Sequence, residues 1–171
     1  MYVAGGTALH FYTGSRVSVD VDAAFSRRIA VPDNLEVSYR ESDGAARLLY
    51  FDKQYSDTLG LMHEDAYDES ISLSLKGVNS KVLDIRLLTP LDLAVSKLGR
   101  FAEQDREDIA ELAKRRLITA KALRKRAEAA LVAYVGDTLR LQGSIDFACR
   151  LLDRNADARA KRKSATSKKM S

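Results

Sequence analysis

The spacing of apolar and polar positions changes character once along this chain, close to residue 89. Ahead of that point the runs are short. Tyr2-Val3-Ala4 is an apolar run closed by Gly5-Gly6, and residues 7–13 are helix-compatible and stopped by Gly14, which predicts strand, glycine turn and helix. From Val17 to Asp22 apolar and polar residues alternate strictly, so residues 17–25 read as a strand. Residues 48–51, 58–62 and 70–75 read as antiparallel strands between polar or glycine-bearing turns, and residues 82–88 make a stronger strand candidate.

Beyond residue 88 the period becomes helical. Thr89 suits an N-cap, Pro90 the first helical position and Asp92 the first turn, and Leu91, Ala94, Val95, Leu98, Phe101 and Ala102 keep helical spacing. A second helix starts near Asp105 and buries Ile109, Leu112 and Ala113; two more cover roughly 120–135 and 138–153, broken near Gly136. The expected fold is therefore α+β, a mixed sheet with flanking helices followed by a C-terminal helical bundle. Three parts are expected: a strand-rich core over 1–88, a helical part of the same domain over 89–153, and a basic disordered tail over 154–171.

Composition narrows the class. With 171 residues and 46% hydrophobic content, one sizeable core is the expectation. No apolar run approaches the length of a membrane span and the first residues lack a signal pattern, so no membrane partner and a cytoplasmic location are expected. The single cysteine, Cys149, makes no intramolecular disulfide and reads as a core thiol, and His10 and His63 are too scattered for a zinc set. The net charge of +4 divides unevenly: residues 154–171 carry seven basic side chains against one acid, so the rest of the chain is slightly acidic. A basic arm on such a body suits a phosphate-rich partner.

The candidate chemistry lies near the N-terminus. Asp20 and Asp22, two apart in a strand, leave the same face and raise each other's pKa unless a cation lies between them. Mg²⁺ fits, because it takes oxygen ligands and is commonly held by one or two carboxylates plus substrate phosphates. Just upstream, Gly5-Gly6 lets the backbone approach a phosphate, and the helix that opens at Thr7 turns free N–H groups toward it. A phosphate cradle of Gly5, Gly6 and Thr7 is thus expected beside a metal pair.

These residues resemble the nucleotidyltransferase superfamily, whose motif is Gly-Gly or Gly-Ser at a helix start followed by Asp-x-Asp on the next strand. More narrowly, Gly5-Gly6-Thr7-Ala8-Leu9, then Gly14-x-Arg16-x-Ser18-x-Asp20-x-Asp22, then Thr89-Pro90-x-Asp92-Leu93 with Lys97, Asp105 and Asp108, is similar to the small bacterial AbiEii-type nucleotidyltransferases, several of which are toxins of toxin-antitoxin pairs. Members of that group usually carry a helix before the first strand, whereas this chain opens at the strand.

The resemblance implies a nucleotidyltransferase-like fold and a third carboxylate on a later strand, for which Asp84 is the match. It also implies nucleotide contacts from Ser18, Lys97 and Asp108, with Lys97 facing the phosphates. Asp20, Asp22 and Asp84 would then hold two Mg²⁺ ions, and Asp84 would activate an acceptor hydroxyl while a nucleoside monophosphate is transferred from an NTP. The acceptor is expected to be an RNA end, a protein hydroxyl or a small molecule such as an aminoglycoside, with an RNA end such as that of tRNA favoured by the basic tail, and a cognate antitoxin is a candidate protein partner. The alternative is a non-catalytic module on the same fold that binds nucleotide or protein.

Overall fold

The computed structural model describes residues 1–15, 18–27, 29–33, 35–40, 44–53 and 60–168, with side chains described through residue 158. Among the described residues seven short strands form two sheets. β1 (Tyr2–Val3), β3 (Ala23–Ala24), β6 (Ile71–Ser72) and β7 (Arg86–Leu87) make a four-stranded sheet in the order β3-β1-β7-β6. β2 (Asp20–Val21), β4 (Glu36–Arg40) and β5 (Ala46–Phe51) make a three-stranded sheet in the order β2-β5-β4. β1 runs parallel to β7 and β2 parallel to β5, while the other neighbours are antiparallel. Both sheets are mixed, and with five helices the fold is α+β, as the change of rhythm at residue 89 predicts.

The alternation through residues 17–25 becomes two strands because the chain changes partners at Asp22. Val19 and Val21 carbonyls accept from the Tyr50 and Asp52 N–H groups at 3.1 and 3.2 Å, whereas the Asp22 carbonyl accepts from Ala4 N–H at 2.9 Å. One extended run therefore stitches both sheets together, and Asp22 sits at the seam. Val17 and Arg16 lie outside the described residues, as do residues 58 and 59 of another expected strand. The expected strands at 70–75 and 82–88 shrink to β6 and β7, and residues 80–82 form a turn closed by Val82 N–H to Asn79 carbonyl at 2.9 Å.

The helices are α1 (Gly5–Thr13), α2 (Pro90–Ser96), α3 (Glu103–Lys114), α4 (Ala120–Leu131) and α5 (Thr138–Lys168). α1 starts at Gly5, two residues ahead of the expected Thr7, so both glycines lie in its first turn. Thr89 caps α2, its hydroxyl oxygen accepting from Asp92 N–H at 3.1 Å, and Pro90 takes the first turn, where no N–H is needed. α5 runs on through Lys168, so the backbone is helical where the sequence predicts a disordered tail.

The core is built mainly by helices: Leu9 of α1, Leu93 and Val95 of α2, Ile109 and Leu112 of α3, Leu123 of α4, and Leu141 and Ile145 of α5 meet Val3 and Leu87 from the larger sheet. The hairpin β4–β5 projects from this body, with Val37, Leu48 and Tyr50 exposed. Among the described residues no helix is long and apolar enough to cross a membrane.

Candidate active site

Gly5 has φ +56, a left-handed conformation natural to glycine, and a Cβ built on it would stand 1.6 Å from Asp22 Oδ2. The Asp22 carboxylate thus lies directly against the first turn of α1. That turn leaves the N–H groups of Gly5, Gly6 and Thr7 without partners inside the helix, at its positive dipole end. The Thr7 hydroxyl donates to the Asp20 carbonyl at 2.7 Å and ties α1 to β2. Ser18 donates to Asp20 Oδ1 at 2.6 Å and so fixes the orientation of that carboxylate.

A third carboxylate joins from β5. Register pairs Asp20 with Tyr50 and Val21 with Phe51, which brings Asp52 level with Asp22 on the same face as Asp20. Burial, then the charges of Asp20 and Asp52, push the Asp22 carboxyl above its ordinary value, with Lys97 and Arg100 pulling the other way. Three acids and two cations therefore share one electrostatic neighbourhood.

Asp84 is not among them. It precedes β7, at the end of the parallel β1–β7 pair opposite Gly5, roughly five residue steps or ~16 Å away at the rise of a strand. Its side chain is 54% exposed and 3.6 Å from Arg86 Nη1, and its carbonyl accepts from the Met1 amine at 2.7 Å. The structure does not bring Asp84 to Asp20 and Asp22, because the strand beside β2 is β5 and not β7.

Lys97 and Asp108 do meet, but by a route unlike one continuous helix. α2 ends at Ser96, and the chain turns through Gly99 and Phe101 before α3 begins at Glu103. Phe101 has φ 52, an unusual conformation for a non-glycine residue, and its ring is held edge-on by Phe147 at 5.8 Å with the Arg106 guanidinium over it at 5.7 Å. The turn folds α3 back so that Lys97 Nζ donates to Asp108 Oδ2 at 2.6 Å and lies 3.9 Å from Asp105 Oδ1. All three side chains are at least nine-tenths buried. Lys97 is therefore engaged by carboxylates beside the site.

Asp105 closes the network. It accepts from Ala102 N–H at 2.9 Å at the start of α3 and takes both Arg100 Nε and Nη2 at 2.8 Å. Burial works to raise the Asp105 carboxyl, but these hydrogen bonds and the charges of Arg100 and Lys97 hold it below the ordinary value. The hydrogen bond to Asp105 raises the Arg100 pKa, helped by Asp22 and Asp108, and 73% of its side chain stays exposed. Arg100 is thus the solvent-facing cation of the site.

The sequence reading missed Arg100 and Asp52. For Asp52 a weak signal exists: it is the acid that ends the apolar run 48–51, as Asp22 follows the alternating run that starts at Val17.

The donor set suits an oxygen-seeking cation. Asp20 and Asp22 leave one face beside a helix N-terminus, the arrangement in which Mg²⁺ takes one or two carboxylates and fills its shell with phosphate and water. Among the described residues no three His, Cys, Asp or Glu side chains converge on one ion, so a bound nucleotide would have to complete the ligand shell.

A glycine-started helix thus faces carboxylates beside a neighbouring strand, in an α+β fold consistent with the nucleotidyltransferase class. The chain belongs to the family described as "Nucleotidyltransferase of unknown function (DUF6036)", which matches residues 1–147. No curated protein and no solved structure matches it.

Proposed function

We propose that this nucleotidyltransferase moves a nucleoside monophosphate from an NTP to an acceptor hydroxyl with Mg²⁺, using Asp20, Asp22 and Asp52. The observation that carries the reading is the placement of Asp22 against Gly5, which sets a carboxylate pair beside the N–H groups that can receive a phosphate. Asp20 and Asp22 would hold the metal, with Ser18 orienting Asp20. Bound there, Mg²⁺ supplies charge neutralisation on the triphosphate and Lewis acidity at the α-phosphorus.

The N–H groups of Gly5, Gly6 and Thr7 bind the β and γ phosphates. Arg100 balances their charge from solvent, while Lys97 and Asp108 stiffen the wall behind Asp22. Asp52 accepts the proton as the acceptor oxygen bonds to the α-phosphorus. The bond from that phosphorus to the bridging oxygen breaks, and pyrophosphate leaves.

The finer likeness to AbiEii-type toxins belongs to the same proposal, with RNA such as tRNA as acceptor and an antitoxin as partner. It is supported by the Gly5-Gly6-Thr7, Asp20-Val21-Asp22 and Lys97–Asp108 motifs and by the basic stretch from Arg154. Growth arrest on induced expression, absent in Asp22→Asn, is its expected signature.

A second reading, a nucleotide-binding module without chemistry, is favoured by the lack of three convergent metal-ligating side chains among the described residues. One experiment separates the two: labelled NTPs, Mg²⁺ and total RNA or lysate, wild type against Asp22→Asn. Transfer yields labelled macromolecule and free pyrophosphate, lost in the variant. Nucleotide binding by the wild type without any labelled product or pyrophosphate would leave only the binding module.

A further inference from the structure

We propose that the face of β4 and β5 continuing outward from the carboxylates is the acceptor platform, and that it takes the 3′ end of a single-stranded RNA whose terminal base stacks on Tyr50. The inference rests on the transfer reaction proposed above and assigns the surface that receives its RNA acceptor.

In an in-line displacement the attacking and leaving oxygens lie on opposite sides of the phosphorus. Across this site the elements follow in the order α1, β2, β5, β4: Thr7 bonds α1 to β2, and β2 pairs with β5 and β5 with β4. With pyrophosphate held by the first turn of α1, the attacking hydroxyl has to arrive from the β5 side, where Asp52 stands.

What lies on that side is set by register. Tyr50 is opposite Asp20 on one neighbour and Glu36 on the other, Leu48 is opposite Ser38, and Ala46 is opposite Arg40. All of these share the face of Asp20 and Asp52, since paired residues and residues two apart leave a sheet on the same side. Tyr50 and Leu48 are 42% and 47% exposed, so neither is consumed by the core. The Tyr50 backbone is two residues, or ~7 Å, from Asp52, and the level of Arg40 is ~13 Å further on.

A hydroxyl-activating acid, then an aromatic ring, then a cation is the order a strand end requires. The 3′ hydroxyl meets Asp52, the terminal base covers Tyr50, and the upstream phosphate runs toward Arg40, whose Nη1 donates to the Gly44 carbonyl at 3.2 Å. Aromatic stacking serves any base, because every base has a π-face. A serine or threonine hydroxyl on a protein would gain little from such a ring.

The test uses the whole chain and a short single-stranded RNA carrying 2-aminopurine at its 3′ end, whose fluorescence falls on stacking. Titrations are run beside calorimetry of Mg²⁺-dependent NTP binding and a thermal melt of each variant. Tyr50→Ala should weaken RNA binding by about ten- to hundredfold and abolish the quench. Tyr50→Phe should restore both, and NTP affinity should stay at the wild-type value in each.

The platform is overturned if Tyr50→Ala, folded by its melt, binds and quenches like wild type. It is also overturned if the wild type binds NTP but not RNA, or labels protein instead, and the transferase reading then survives. If the wild type binds no NTP, the transferase reading itself fails.

Discussion

Asp22 Oδ2 occupies the space that a side chain on Gly5 would need, coming within 1.6 Å of the Cβ position. Gly5→Ala therefore meets two obstacles, a left-handed φ of +56 and a displaced carboxylate. Gly14 offers the control, with φ +61 and nothing within 4 Å. Each substitution should cost about 1–2 kcal/mol of backbone strain, or ~2–8 °C in melting temperature. Only Gly5→Ala should also lose Mg²⁺-dependent NTP binding. Equal nucleotide binding by the two variants would sever the link between Gly5 and Asp22.

The third carboxylate separates two positions that look equivalent in sequence. Asp52→Asn should lower transfer by ~100-fold or more, as expected for loss of a positioned base, while NTP binding is largely kept. Asp84→Asn should transfer within about threefold of wild type, because Asp84 lies at the far end of the β1–β7 pair, beside Arg86. A labelled-product assay reads both, and the opposite ranking would return the role to Asp84.

Asp22 also makes a pH prediction. Its carboxyl is pushed up in the folded state, so the native protein binds more protons than the unfolded chain between the ordinary carboxylate range and the raised value. Stability then falls as pH rises through that window, and the penalty is absent below it. Asp22→Asn removes this penalty. Its melting temperature should match wild type near pH 3.5 and exceed it at neutral pH, with Mg²⁺ plus NTP closing the gap by stabilising wild type alone. A difference independent of pH would contradict this.

Lys97 tests whether the buried ion pair is scaffold or ligand. Its Nζ is 2.6 Å from Asp108, and both side chains are almost wholly buried. Lys97→Ala leaves Asp108 without its buried cation, which should cost about 3–5 kcal/mol, or ~6–20 °C in melting temperature. Arg100→Ala, at a mostly exposed side chain, should cost far less stability and mainly weaken NTP binding. Unchanged stability in Lys97→Ala would restore the reading of Lys97 as a plain phosphate ligand.

Removing residues 154–171 takes away a net charge of +6 and leaves Leu152 of the core in place. RNA affinity should fall and its salt dependence become shallower, since fewer counterions are released on binding. NTP binding should not change. An identical salt slope would exclude this stretch from the RNA contact.

By itself the sequence determined what local chemistry fixes. Thr89 and Pro90 start α2, Ile109 and Leu112 mark the buried side of α3, Gly14 stops α1, and the two-residue spacing of Asp20 and Asp22 puts them on one face. Each depends on neighbours a few residues away, through capping, periodicity or the pleat. The tertiary structure decided which distant groups join them. Alternation tells which face a side chain takes but not which strand lies alongside, and sheet order is set by hydrogen bonds between segments about thirty residues apart, such as Asp52 N–H to the Val21 carbonyl. That pairing brought Asp52 to the carboxylates and left Asp84 at the far end. Likewise, the eleven-residue spacing of Lys97 and Asp108 aligns them only on an unbroken helix, and a turn near Gln104 changes that. The turn at Phe101, held in a left-handed conformation by packing against Phe147, folded them into a buried pair instead.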